Sequence, residues 1–313
     1  MFSKLPEPFN RNFAVAYFLP FVAFLLSSIG ILKEVGYLTD ILETNKSDQI
    51  LIGTTVLGLI SWFGGIILLA TNRDIIRLIE GYGRFNPLRL LYFIEKAKYK
   101  RIKAEISEIN KEYIEISNRG EKLSSERNQR RNELMQKIVQ RFPDQERWLL
   151  PTSFGNTIRA FEVYPRVMYG LDSIQGWNRL LSVIPEHYRV LIDDSKVNVD
   201  FWVNLGFLSF IFLLEYAFII ISAGQAKFIW IPFVTSFFII LSYIRAESSS
   251  VEWGDMVKSA FDVYLPELAA KLDFEIPSDI SSEQFLWRKF SQSIIYANPE
   301  YMPKRNNINR NEN

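Results

Sequence analysis

The run FWVNLGFLSFIFLLEYAFIIIS (Phe201–Ser222), followed across Ala223–Lys227 by FIWIPFVTSFFIILSYI (Phe228–Ile244), decides the fold. A helix rises 1.5 Å per residue and a bilayer core is about 30 Å thick, so roughly 20 apolar residues cross it. The first run meets that length with Glu215 as its one charge. The second is shorter and contains Pro232. The brief connection between them predicts a hairpin of antiparallel transmembrane helices.

Working outward, Phe13–Leu32 and Ile50–Thr71 are both free of charged residues. They predict a first pair of spans, with a kink at Pro20 because proline removes an intrahelical donor. The expected fold is therefore all-α, with four transmembrane helices in two hairpins. Lys/Arg near the span ends set orientation. Lys33, Lys46 and Lys227 lie on one side. Lys4, Arg11, Arg73, Arg77, Arg84, Arg189, Lys196, Arg245 and Lys258 lie on the other. The second side reads as cytoplasmic and carries both termini, which predicts a multi-pass protein of the cell (inner) membrane.

The expected organisation is an N-terminal tail and first helix pair (1–71), a cytoplasmic helical domain (72–200) and a second hairpin (201–244). C-terminal helices packing on that domain (245–297) and a polar, Asn-rich disordered tail (298–313) complete it. Asn86-Pro87 reads as a helix start. Beyond it, Tyr99, Ile102, Ile106, Ile109, Tyr113 and Ile116 alternate spacings of three and four, a short coiled-coil seam with charged residues on the other faces. A turn near Asn118–Gly120 and a second helix to about Arg141 would close an antiparallel pair. The alternative is one longer helix pairing between subunits of a homo-oligomer. Basic residues dominate between Arg73 and Lys103, which suits anionic lipid headgroups or a solvated face obeying the positive-inside rule.

The chain has no cysteine and one histidine, His187. That excludes disulfides and thiolate chemistry and disfavours transition-metal sites. A net charge of +1 gives no global attraction to nucleic acid. No nucleotide loop, zincin helix or nucleophile elbow is present, so a non-enzymatic role without cofactor is expected. Two such roles fit: a homo-oligomeric channel or transport component, or a membrane anchor for a cytoplasmic sensing or scaffold domain with a soluble protein partner. A membrane-surface enzyme would need Arg159, Glu162, Asp172 and Arg179 to converge.

The most motif-like segment places Pro151, Thr152, Gly155, Asn156, Arg159, Ala160 and Glu162 in a Pro/Gly turn leading into a helix, with Asn156 or Thr157 as its cap. Here the chain resembles an uncharacterised family of bacterial multi-span membrane proteins with a Pro-Thr-x-x-Gly-Asn-x-x-Arg-Ala-x-Glu segment before a late pair of spans. The likeness extends loosely to Ala260–Tyr264 and implies no activity. After the last span, Trp253, Met256, Val257, Ala260, Phe261 and Tyr264 form an amphipathic face that Pro266 should bend or end. Ser281-Ser282-Glu283-Gln284 reads as a capping box.

Glu215 is the informative residue, because a carboxylate at membrane depth costs several kcal/mol unless it is paired or wetted. Asp193, Asp200, Asn204 and Glu215 return to nearly the same helical face, a polar stripe entering the bilayer. It would either line a water-filled route for ions or grip neighbouring helices. Equal distances from the hairpin turn predict that Thr235 or Ser236 partners Glu215. Thr54, Gly58, Ser61 and Gly65 line one face of the second span and predict close helix packing.

Overall fold

The computed structural model describes residues 11–37, 47–223 and 228–304. All regular structure among them is helical: α1 (Arg11–Glu34), α2 (Ser47–Glu80), α3 (Tyr92–Asn118), α4 (Ser125–Arg141), α5 (Ser153–Met168), α6 (Ser173–Leu180), α7 (Glu186–Ala223), α8 (Trp230–Lys271) and α9 (Ile280–Ile295). Short 3-10 turns occupy Pro87–Leu91, Glu146–Trp148 and Pro299–Tyr301. Helices α1, α2, α7 and α8 are each long and apolar enough to cross a membrane. The hairpin residues Gly224–Lys227 lie outside the described residues.

The chain divides into two compact units, one from Met1–Leu78 with Asp194–Ser249 and the other from Ile79–Asp193 with Ser250–Asn313. The divisions fall inside α2, α7 and α8, where no glycine–proline signal interrupts the helices.

In the first unit, α1 is not a simple proline kink. Ala14–Phe18 winds as a π-helical turn, with the Leu19 N–H reaching back to the Ala14 carbonyl, and Pro20 follows directly. Helix α2 packs on this segment through only part of its small-residue face. A side chain at Gly65 would lie 3.0 Å from the Phe13 ring, Gly64 lies against the Phe21 ring, and Ser61 is buried. Gly58 has open space around it and Thr54 is exposed, so that end of the stripe makes no close approach. Helices α7 and α8 meet where Gly206 admits Ser242, 3.0 Å from where a Cβ would stand.

In the second unit, α3 and α4 run antiparallel. Arg127 pairs with Glu112 and Glu108, and Arg130 pairs with Glu105, so contacts move backward along α3 as α4 advances. Gly120, at φ +75°, takes the left-handed conformation the turn needs. Tyr99, Ile102, Ile106 and Ile109 are buried with Leu134, Ile138 and Phe142. Tyr113 is exposed, with the Arg131 guanidinium over its ring, so tight burial stops after Ile109.

Several local expectations give way to packing. Pro266 does not end α8, which continues to Lys271 because Leu265 and Leu268 are buried on either side of it. The cap of α9 is Asp279, accepting from the Ser281 and Ser282 amides, since a carboxylate two residues earlier outcompetes the serine box. Asn298, expected to open a disordered tail, caps the Pro299–Tyr301 turn, and residues 305–313 lie outside the described region. Val257, Ala260, Phe261 and Tyr264 are buried, and Phe161 stacks edge-on against Trp253 at 5.0 Å. Trp287, fully enclosed beside Phe274 and Phe290, anchors α9.

Candidate functional site

The polar residues of the first unit are organised around α1. In a regular α-helix the Ala16 carbonyl accepts from the N–H of residue 20, and Pro20 has none. Asn204 of α7 supplies a donor instead, its Nδ2 lying 2.9 Å from the Ala16 carbonyl oxygen. Neighbouring helices satisfy freed backbone groups in this way where water is absent.

One turn before Asn204, the buried Asp200 carboxylate accepts from three side chains. The Tyr17 hydroxyl donates at 2.7 Å, Asn72 Nδ2 at 2.9 Å and Lys196 Nζ at 2.6 Å. Helices α1, α2 and α7 therefore converge on one carboxylate. The charge is balanced by Lys196, four residues away on the same helix and partly exposed. In both amides Nδ2 faces an oxygen that can only accept, which fixes their orientation. Asn72 Oδ1 and Asn204 Oδ1 are left buried without a donor among the described residues.

Glu215 lies elsewhere along α7. Ser28 of α1 donates to its carboxyl group at 2.6 Å. Thr235 and Ser236 are not its hydrogen-bond partners. Glu215 turns instead toward α1, where Ser28 lies. Thr235 is buried and lines a cavity of about 570 Å³ with Phe24, Ile31, Leu208 and Phe212. The expected stripe is thus resolved into parts. Asp200 and Asn204 act together, Glu215 bonds separately, and Asp193 is exposed and belongs to the second unit. The sequence signal that could have found Tyr17 and Asn72 is their place as polar side chains near the start of the first apolar run and just past the end of the second.

The 151–162 segment has its own local logic in the second unit. Thr152, not Asn156 or Thr157, caps α5 by accepting from the Gly155 amide at 3.0 Å. Asn156 is instead fully buried, clasping both the amide and the carbonyl of Leu150. It also donates to Glu95 Oε2 at 3.2 Å, while Ser153 and Lys98 donate to Glu95 Oε1. A side chain at Gly155 would stand 2.8 Å from the Glu80 carbonyl, and Gly81, at φ +94°, packs on Pro151. Pro151, Thr152, Gly155 and Asn156 therefore fit the start of α5 against the end of α2. Glu95, which no sequence motif singled out, is the buried centre of this knot.

Arg159 reaches the Tyr82 hydroxyl and pairs with Glu162 at 3.4 Å. Burial raises the Glu162 carboxyl above its ordinary value, with Arg159 pulling it back down. Burial likewise raises Tyr82, again opposed by Arg159. Asp172 caps α6 by accepting from the Gln175 amide, and Arg179 donates to the Gln175 carbonyl. His187 is exposed, and Asp194 faces Arg11 at 3.7 Å. Among the described residues no group of three or more His, Asp and Glu side chains is placed to hold a metal ion. No protein-family model, curated protein or solved structure matches the chain.

Proposed function

We propose that the chain is a non-enzymatic membrane anchor that carries its second helical unit in the cytoplasm as a docking scaffold, with both termini on that side of the cell membrane. The observation carrying this reading is the internal engagement of the carboxylates. Asp200 is held by Tyr17, Asn72 and Lys196, and Glu215 by Ser28, all from the same chain. A stripe that grips neighbouring helices has the role of a structural interface. The α3–α4 pair, read as a short coiled coil, offers polar outer faces on a rigid apolar seam. Asp172 and Arg179 each bond within α6 itself.

A second reading, a transport component formed by an oligomer, draws on Asn72 Oδ1 and Asn204 Oδ1, two buried acceptors beside Asp200. Reconstitution in liposomes separates the two. The anchor reading expects ion flux no greater than in protein-free vesicles. Flux that disappears in Glu215→Gln or Asp200→Asn while assembly persists would replace it with the transport reading. The chain's lack of cysteine also permits a topology test. A cysteine introduced at Gly224 should react with an impermeant reagent in intact cells and one at Asn110 should not; the reverse pattern would overturn the orientation.

A further inference from the structure

The segment that leaves α2 exposes an unusual amount of apolar surface. Phe85 is 92% exposed, Leu90 76%, Phe93 75% and Ile94 53%. A soluble surface seldom gathers such residues without a partner. They occur together for a local reason. Asn86 accepts from the Leu88 amide and Pro87 starts the 3-10 turn, which projects Leu90 outward and delivers the chain into α3. The buried face of α3 is already defined by Glu95, Tyr99, Ile102, Ile106 and Ile109, so Phe93, Ile94 and Ala97 stand on the opposite side.

Charge is arranged around this patch. Between Arg84 and Arg101 six basic residues accompany one acid, Glu95, which is buried. Lys98 and Arg101 continue the face of Phe93, Ile94 and Ala97 one turn further along the helix. Lys96 and Lys100 bind Glu146, and Lys98 binds Glu95. Arg84, Arg89 and Arg101 have no carboxylate at ion-pair distance among the described residues. Apolar side chains at one end and cations behind them match the depth profile of a membrane interface, where acyl chains lie below anionic headgroups.

The occupant follows from chain continuity. The charge-free run of α2 ends at Thr71 and the helix at Glu80, five residues before Phe85, so Phe85 lies within about 32 Å of the end of that run along the chain. We infer that Phe85–Ile94 inserts in the cytoplasmic interface of the same bilayer that holds the spans, with Arg84, Arg89 and Arg101 binding anionic headgroups. The segment is a second membrane contact, separate from the transmembrane helices. It depends on the proposed function only in that the spans lie in a bilayer, and it holds for anchor and transport readings alike.

The test uses the full chain reconstituted in vesicles of phosphatidylcholine, with and without phosphatidylglycerol. Flotation with the vesicles checks membrane insertion independently of the inference. Phe93→Cys and Ser107→Cys each carry a fluorescent label; Ser107 is exposed on α3, about 21 Å further along the helix. Brominated acyl chains should quench the label at position 93 several-fold more than at 107. Phosphatidylglycerol should increase that difference, and Arg84→Gln with Arg89→Gln and Arg101→Gln should reduce it, since each basic residue near an anionic surface contributes about 1 kcal/mol, roughly fivefold in partition. Equal quenching at the two positions would put the segment in water and overturn the inference. Shielding of position 93 from iodide without quenching by lipid would show that a second copy or another protein covers the face, and would overturn it too. Quenching indifferent to phosphatidylglycerol and to the three substitutions would remove the headgroup contacts.

Discussion

Asn204 donates to the carbonyl of Ala16, the acceptor whose α-helical donor would have come from Pro20. The proline and the amide are 184 positions apart in sequence, yet one supplies what the other withholds. The pair makes the π-turned first span dependent on the third.

Asn204→Leu should therefore destabilise the first unit by about 1–2 kcal/mol, the usual cost of leaving a buried acceptor unmade. In a Pro20→Ala background, where residue 20 regains its N–H, the same substitution should cost less. Unfolding in mixed detergent measures both. Equal costs in the two backgrounds would mean that Pro20 and Asn204 are not coupled.

Glu215 should couple to Ser28 and not to Thr235. Glu215→Gln keeps an acceptor and should lose only about 0.6 kcal/mol, the average for membrane hydrogen bonds. A double-mutant cycle of Ser28→Ala with Glu215→Met, which removes the acceptor, should show an interaction energy. The cycle of Thr235→Val with Glu215→Met should show none, and a reversed result would restore the hairpin partner and discard Ser28.

The α3–α4 seam should be sensitive at its buried isoleucines. Ile109 is fully enclosed and Ile106 nearly so. Large-to-small changes at such positions cost roughly 2–5 kcal/mol each. Ile106→Ala with Ile109→Ala should expose the 99–142 region to limited proteolysis while membrane insertion is unchanged. A digestion pattern identical to wild type would contradict the packing.

Glu162 predicts a pH effect of definite sign. Burial raises its folded-state pKa, so between the unfolded and folded values the folded chain binds more protons than the unfolded one. Its contribution to stability is full below the unfolded value and declines as pH rises through the folded value. Glu162→Gln should flatten this decline in the thermal midpoint of the second unit. A steeper decline in the variant would reverse the assignment and make the Arg159 pair the dominant effect.

The four long apolar helices were legible because hydropathy adds up locally along a chain: Phe13–Leu32, Ile50–Thr71 and the two late runs each carry their own signal, whatever they pack against. The burial of Ile102, Ile106 and Ile109 was legible for the same reason, since heptad spacing alone puts them on one face. Tertiary structure decided where polar atoms find partners. Gly64 and Gly65 serve close packing and Gly58 does not, because only the former pair meets the phenylalanines of α1. Thr152 caps α5 and frees Asn156 to hold Leu150 and Glu95, a choice that depends on a helix 58 or more positions away. Glu215 turns to Ser28 because depth in a hairpin follows from sequence distance, whereas the direction of a side chain around its helix is set by which third helix packs there.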